Sequence, residues 1–93
     1  MIKKALLMDE KDTVATVIDN IRTNDSVEIL YDGKAVQQIT SISDFDAYHK
    51  IALADYPSDT PMYKYGEIIG RTTQPIRLGE HVHVNNIDSV MTK

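Results

Sequence analysis

The spacing of apolar and polar positions changes several times along the chain. Residues 2–8, IKKALLM, predict a short opening strand. In the next stretch, DEKDTVATVIDNIR, Val14, Val17, Ile18 and Ile21 fall at i, i+3, i+4 and i+7. That is the spacing of one helical face. Asp12 is placed to be its N-cap, and TNDS at 23–26 is a stop signal. One short α-helix is therefore expected here.

VEILYDGKAVQQITSI predicts a β-hairpin. Val27 to Tyr31 and Val36 to Ile42 are rich in apolar and β-branched residues, and Asp32-Gly33 lies between them. Asp-Gly favours the tight two-residue turn that joins antiparallel strands. SDFDAY is a polar connection. HKIALADY (49–56) is a further strand, and PSDTP (57–61) is a turn with proline at both ends. MYKYGEIIGRT (62–72) is strand-like but contains Gly66 and Gly70, which mark bulges, kinks or close backbone approach. PIRLGE is a turn and HVHVNNI a final strand. The expected fold class is mainly β with one short α-helix, built from short kinked strands. Without repeats or a linker, residues 1–93 are expected to form a single domain.

Composition narrows the functions. A domain of 93 residues buries roughly 60–70% of the surface its unfolded chain exposes. A shallow cleft, or one shared with a partner, is expected rather than a deep private pocket. The net charge is −4, and the cations are scattered from Lys3 to Arg77 without a basic stripe. A nucleic-acid partner is not expected. One or two local cations still suffice for a carboxylate, so an anionic small molecule remains open. The absence of cysteine excludes disulfides, thiolate metal sites and cysteine nucleophiles. Asp9 and Glu10 end the first apolar run too early for a signal peptide or membrane span. A cytoplasmic protein without membrane contact is expected.

The residues with chemistry to offer are few. In a strand, His81, His83 and Asn85 share one face, while Val82, Val84 and Asn86 share the other. Imidazoles two apart can hold a divalent metal or polarise a hydroxyl, so His81 and His83 are possible metal ligands. The same spacing equally describes ordinary surface on a half-buried strand. His49-Lys50 offers a proton carrier beside a carboxylate-binding cation, or merely the start of a strand. Lys64 between Tyr63 and Tyr65 reads as a substrate clamp or as an edge lysine. Gly66 and Gly70 lack the context of a phosphate loop, and the serines lack that of a nucleophile elbow.

Three blocks occur in order: HKIAL at 49–53, YKYGEIIG at 63–70 and IRLGEHVHVNN at 76–86. Together they resemble the SAF-type N-terminal domain of the altronate and galactarate dehydratase family. His49 and Lys50 match its first block. Lys64, Tyr65, Gly66, Ile69 and Gly70 match the second. Gly79, Val82, His83, Val84 and Asn86 match the third. Two positions depart. Asn85 stands where the family has a second histidine, and Tyr48 where it has a glycine. Asparagine can hydrogen-bond a hydroxyl but cannot exchange a proton near neutral pH.

The resemblance implies a β-clip fold and a chemistry. Members remove water from sugar acids to give 2-keto-3-deoxy acids, generally with a divalent metal such as iron or manganese. A related branch eliminates sulfite from sulfolactate. The resemblance further implies a larger catalytic subunit that holds most of the metal site, with this chain as the separate small subunit. On that basis His49 and His83 are expected to carry protons. Lys50, Lys64, Tyr65 and Asn86 are expected to hold the anionic substrate. A non-catalytic sugar-acid-binding or assembly module is the expectation from a different class, favoured by Asn85 and Tyr48.

Overall fold

The computed structural model describes residues 2–83 and 85–89. Nine strands run in chain order: β1 (Lys3–Leu6), β2 (Val14–Val17), β3 (Ser26–Tyr31), β4 (Lys34–Thr40), β5 (Lys50–Ala52), β6 (Pro61–Lys64), β7 (Glu67–Thr72), β8 (His81–Val82) and β9 (Ile87–Ser89). Six form one sheet in the order β4-β3-β1-β2-β5-β8, and three form a second in the order β6-β7-β9. Neighbours are antiparallel except β1 and β3, which run parallel. The mainly β expectation holds.

The expected helix is absent, and no helix occurs among the described residues. Val14 and Val17 instead lie in β2, which pairs with both β1 and β5, while Ile21 makes an isolated bridge to Phe45. Ala15 and Val17 enter one core cluster with Ile21, Ile29, Phe45 and Ile51. Val14 enters another with Ala52, Met62, Ile76, Val82 and Ile87. A strand covered on both faces loses its period of two, and an apolar run of this kind imitates helical spacing. The β-branched Val14, Thr16 and Val17 favour the strand. Ile18, assigned to the buried helical face, is 39% exposed.

The Asp32-Gly33 hairpin forms as expected between β3 and β4, with φ of 52° and 78° at the two turn residues. Both values lie in the left-handed region that a type I′ turn requires. The segment 62–72 is a second hairpin rather than one strand. Tyr65 and Gly66 take φ of 57° and 75° between β6 and β7. The register shifts beside Met62, leaving Ile69 as a bulge next to Gly70. The strand expected over 49–56 shortens to β5. HVHVNNI is not continuous: β8 pairs with β5, a turn intervenes, and β9 joins the other sheet. Val84, expected beside Val82, lies outside the described residues.

Four corners share one backbone device. Ile21 bridges Phe45, and Tyr56 bridges Ile76. Three residues after each comes a left-handed residue: Asn24, Tyr48, Asp59 and Gly79. Gly79 is required doubly, because a Cβ there would lie 2.3 Å from the Thr40 carbonyl oxygen. Asn and Asp tolerate this conformation through their short polar side chains. Tyr48, at φ 72° and 76% exposed, has no such relief. The resemblance places a glycine at this position, and the backbone explains why.

Candidate functional site: a histidine cluster at the sheet edge

The pairing of β5 with β8 aligns Lys50 with Val82 and Ile51 with His81. It brings the first and third sequence blocks side by side. His49 is held from behind, since its carbonyl accepts the Val17 N–H at 2.9 Å. Its ring is exposed and meets His81, with His49 Nδ1 and His81 Nε2 2.8 Å apart. His81 also stacks on Phe45, with centroids 4.6 Å apart and planes within 5°. His83 stacks on His81 at 4.3 Å and 24°. All three histidines of the chain thus form one cluster against the rim of the first core. Phe45, which sequence spacing does not single out, is the floor of the stack.

A turn positions His83. Asn86 is 1% exposed; its Oδ1 accepts the His83 N–H at 2.9 Å, and its Nδ2 donates to the His81 carbonyl at 2.8 Å. The Asn86 and Ile87 N–H groups both donate to the His83 carbonyl. Asn86, expected to touch substrate, has its amide engaged in holding the two histidines in place. The Asn85 N–H donates to His83 Nδ1 at 3.3 Å. That contact uses the backbone of Asn85, so it does not depend on the residue type there.

Lys50 lies on the opposite face of the β5–β8 pair from His49 and His81, because neighbouring residues of a strand face opposite ways. Burial, followed by the nearby charge of Lys64, holds its ammonium below the ordinary lysine pKa. Among the described residues neither Lys50 nor Lys64 forms an ion pair. Thr16, directly across from Lys50 on β2, has a buried hydroxyl without a hydrogen-bond partner among the described residues. Lys64 Nζ sits 5.2 Å from the Tyr65 ring centre, and that ring is 61% exposed. The β6–β7 turn carrying them is held by Asp12, whose carboxylate accepts the Tyr65 N–H at 2.9 Å and the Gly66 N–H at 2.8 Å. Asp12 is therefore a turn clamp, not a helix cap. Its partners are 53 and 54 positions away, so no local signal reveals the role.

The electrostatics single out His81. Burial, then the charges of His83, His49 and Lys50, lower its pKa from 6.5 to about 4, with Asp46 opposing. His81 is thus a neutral imidazole at neutral pH. The divalent metal that the resemblance implies finds no complete cage among the described residues. No group of three or more histidine or carboxylate side chains has metal-holding geometry among the described residues. The Nε2 of His81 already faces His49.

Residues 3–90 match the family model described as the altronate/galactarate dehydratase SAF domain. The chain belongs to this family. Within the SAF domain, the histidine cluster and the Lys50–Lys64 pair unite the three sequence blocks. The chain is 51% identical over 39 residues to (2R)-sulfolactate sulfo-lyase subunit alpha of Chromohalobacter salexigens, covering 42% of each chain. It is 47% identical over 38 residues to altronate dehydratase of Bacillus subtilis, covering 41% of this SAF domain's chain and 8% of that protein. Both alignments span less than half of the relatives they match.

Proposed function

We propose that this SAF domain is the small subunit of a hydro-lyase that dehydrates a sugar acid of the altronate or galactarate type to a 2-keto-3-deoxy acid. It contributes active-site residues to a larger catalytic subunit. The observation that carries this reading is the convergence of His49, His81 and His83, from two separate blocks, into one cluster at the β5–β8 edge. Lys50, on the opposite face of that pair, and Lys64 form no ion pair among the described residues.

Dehydration of a hydroxy acid needs a base to take the proton alpha to the carboxylate and an acid to protonate the departing hydroxyl. The enol left behind becomes the 2-keto-3-deoxy acid by taking a proton at carbon. His49 and His83 are the proton carriers on this chain. Lys50 and Lys64 attract the anionic end of the substrate, and the exposed Tyr65 adds a ring and a hydroxyl beside Lys64. Asn86 serves by positioning His83. A divalent metal, iron or manganese, would stabilise the enediolate from the larger subunit. The setting proposed for this assembly is the cytoplasm.

A second reading has its own support. Equal coverage makes the sulfo-lyase subunit alpha about as long as this chain. The alternative is therefore the small subunit of a sulfolactate-type sulfo-lyase. Sulfite departs without prior protonation, whereas hydroxide does not.

The test is purification of the chain from its native host under gentle conditions, then assay of the recovered complex on sugar acids and on sulfolactate. The expected result is a co-purifying larger subunit and dehydration activity reduced by His83→Ala or Lys64→Ala. Sulfite release without dehydration selects the sulfo-lyase. Recovery of no larger subunit, or unchanged turnover in both variants, removes the catalytic reading in favour of a binding or assembly module.

A further inference from the structure

Three strands leave the second core cluster with a polar side chain. Val14, Ala52 and Met62 belong to that cluster. Two positions away on the same strands stand Thr16, Lys50 and Lys64, all half-buried. Side chains alternate along a strand, so each polar residue shares the side of its core neighbour. Register sets two of them against each other, because Val14 pairs with Ala52 and Thr16 with Lys50. On its other flank Lys50 pairs with Val82, also of the second cluster. The histidines border the other core, since His81 pairs with Ile51 and Ile51 packs in the first cluster.

Lys64 is held in place by the loop before β2. Thr13 Oγ1 accepts the Tyr63 N–H at 2.9 Å, and the Asp12 carboxylate accepts those of Tyr65 and Gly66. The backbone is thus fixed on both sides of Lys64, near enough for its charge to act on Lys50. No carboxylate answers these two ammoniums among the described residues. Asp12 is engaged by the turn amides, and Glu67, paired with Lys64 across the hairpin, forms no ion pair with it. The buried Thr16 hydroxyl also has no partner among the described residues. Donors are gathered here without an acceptor.

We infer that Thr16, Lys50 and Lys64 form a carboxylate-binding site at the rim of the second core, on the face of the β5–β8 pair away from the histidines, and that it binds in this chain alone. A carboxylate accepts several hydrogen bonds at once, and those from ammonium groups are charge-assisted. The long stem of Lys50 is the movable part. As its ammonium meets the anion, the stem moves aside and the Thr16 hydroxyl opposite gains its missing acceptor. The site deepens the role proposed for the two lysines. Only its use in catalysis rests on the lyase reading, whereas the binding does not.

The test is an NMR titration of the full 15N-labelled chain with D-gluconate, a sugar acid with one carboxylate. D-Glucitol, its uncharged counterpart, and sodium chloride at matched ionic strength are run beside it. The expected result is saturable shifts centred on Thr16, Lys50 and Lys64 with gluconate alone. Lys50→Met and Thr16→Val should each weaken binding at least about tenfold, the scale of a lost hydrogen bond to a charged group. Thr16→Val should also leave the unfolding midpoint unchanged or higher, because a hydroxyl without a partner is removed. Affinity and stability then move apart, which a merely structural role for Thr16 would not produce. No saturation in the unsubstituted chain overturns the inference, as does an equal response to glucitol or chloride. Shifts centred on the histidine cluster, or retained affinity in either folded variant, overturn it too. Saturable binding together with no turnover of any sugar acid by the recovered complex would support the site and sink the lyase reading alone. Dehydration by the complex without gluconate binding to this chain would sink the site alone.

Discussion

His49 and His81 are 32 positions apart in the chain, yet their facing ring nitrogens are 2.8 Å apart. The contact exists because β5 and β8 pair at the edge of the larger sheet. Phe45 supports His81 from one side, and the Asn86 turn delivers His83 to the other.

His81 makes stability depend on pH. Its pKa in the fold is about 4, against 6.5 for the free side chain. The unfolded chain therefore takes up this proton first. The contribution is complete above pH 6.5, is lost as pH falls from 6.5 to about 4, and levels off below. Urea midpoints measured across that window should fall with pH, and the slope should be shallower in His81→Phe.

Tyr48 carries a backbone cost that its side chain does not relieve. A left-handed residue other than glycine costs about 1–2 kcal/mol, while glycine in place of another residue loses about 0.5–1 kcal/mol through greater unfolded-state freedom. Tyr48→Gly should therefore raise stability by up to about 1 kcal/mol in denaturant titration. A lower midpoint would show that the exposed ring makes a stabilising contact.

Gly79→Ala should do the opposite. The added carbon would meet the Thr40 carbonyl oxygen at 2.3 Å, at a φ of +85°. Left-handed strain and displacement of the β4 end together predict a loss of about 2–4 kcal/mol. Thermal unfolding of the two proteins side by side measures it.

Asn86→Ala removes the amide contacts at the turn before β9, including the longer one from Nδ2 to Glu80 Oε2 at 3.5 Å. The His83 N–H and the His81 carbonyl lose their partners, a loss of about 1–3 kcal/mol. Denaturant titration should show that loss, together with collapse of the His83 ring shifts caused by stacking on His81. Asn86→Asp, which keeps the Oδ1 acceptor, should preserve more of the His83 signature than alanine does.

Asp12→Ala should free the Tyr65 and Gly66 amides, which the Asp12 carboxylate holds at 2.9 and 2.8 Å. Amide hydrogen exchange at these two positions is expected to speed up at least about tenfold, corresponding to loss of a charge-assisted hydrogen bond. Exchange in the β3–β4 hairpin should be unchanged.

The amino-acid sequence by itself determined what is chemically local. Asp32-Gly33 announced its hairpin because those residues enter the left-handed region cheaply. The three family blocks marked which residues belong together, since side-chain types at set spacing need no coordinates to be read. Where burial depended on two sheets at once, local pattern misled. β2 lies between two core clusters, so Val14 and Val17, with Ile21 beyond the strand, matched a helical face without forming one. The Tyr65-Gly66 turn was hidden because tyrosine is not a turn former, and a carboxylate from a distant loop stabilises it. Only the tertiary structure decided that three histidines share one cluster, that Asn86 holds a turn, and that Lys50 faces away from His49. Strand register sets those relationships, and it arises from pairing between segments tens of residues apart.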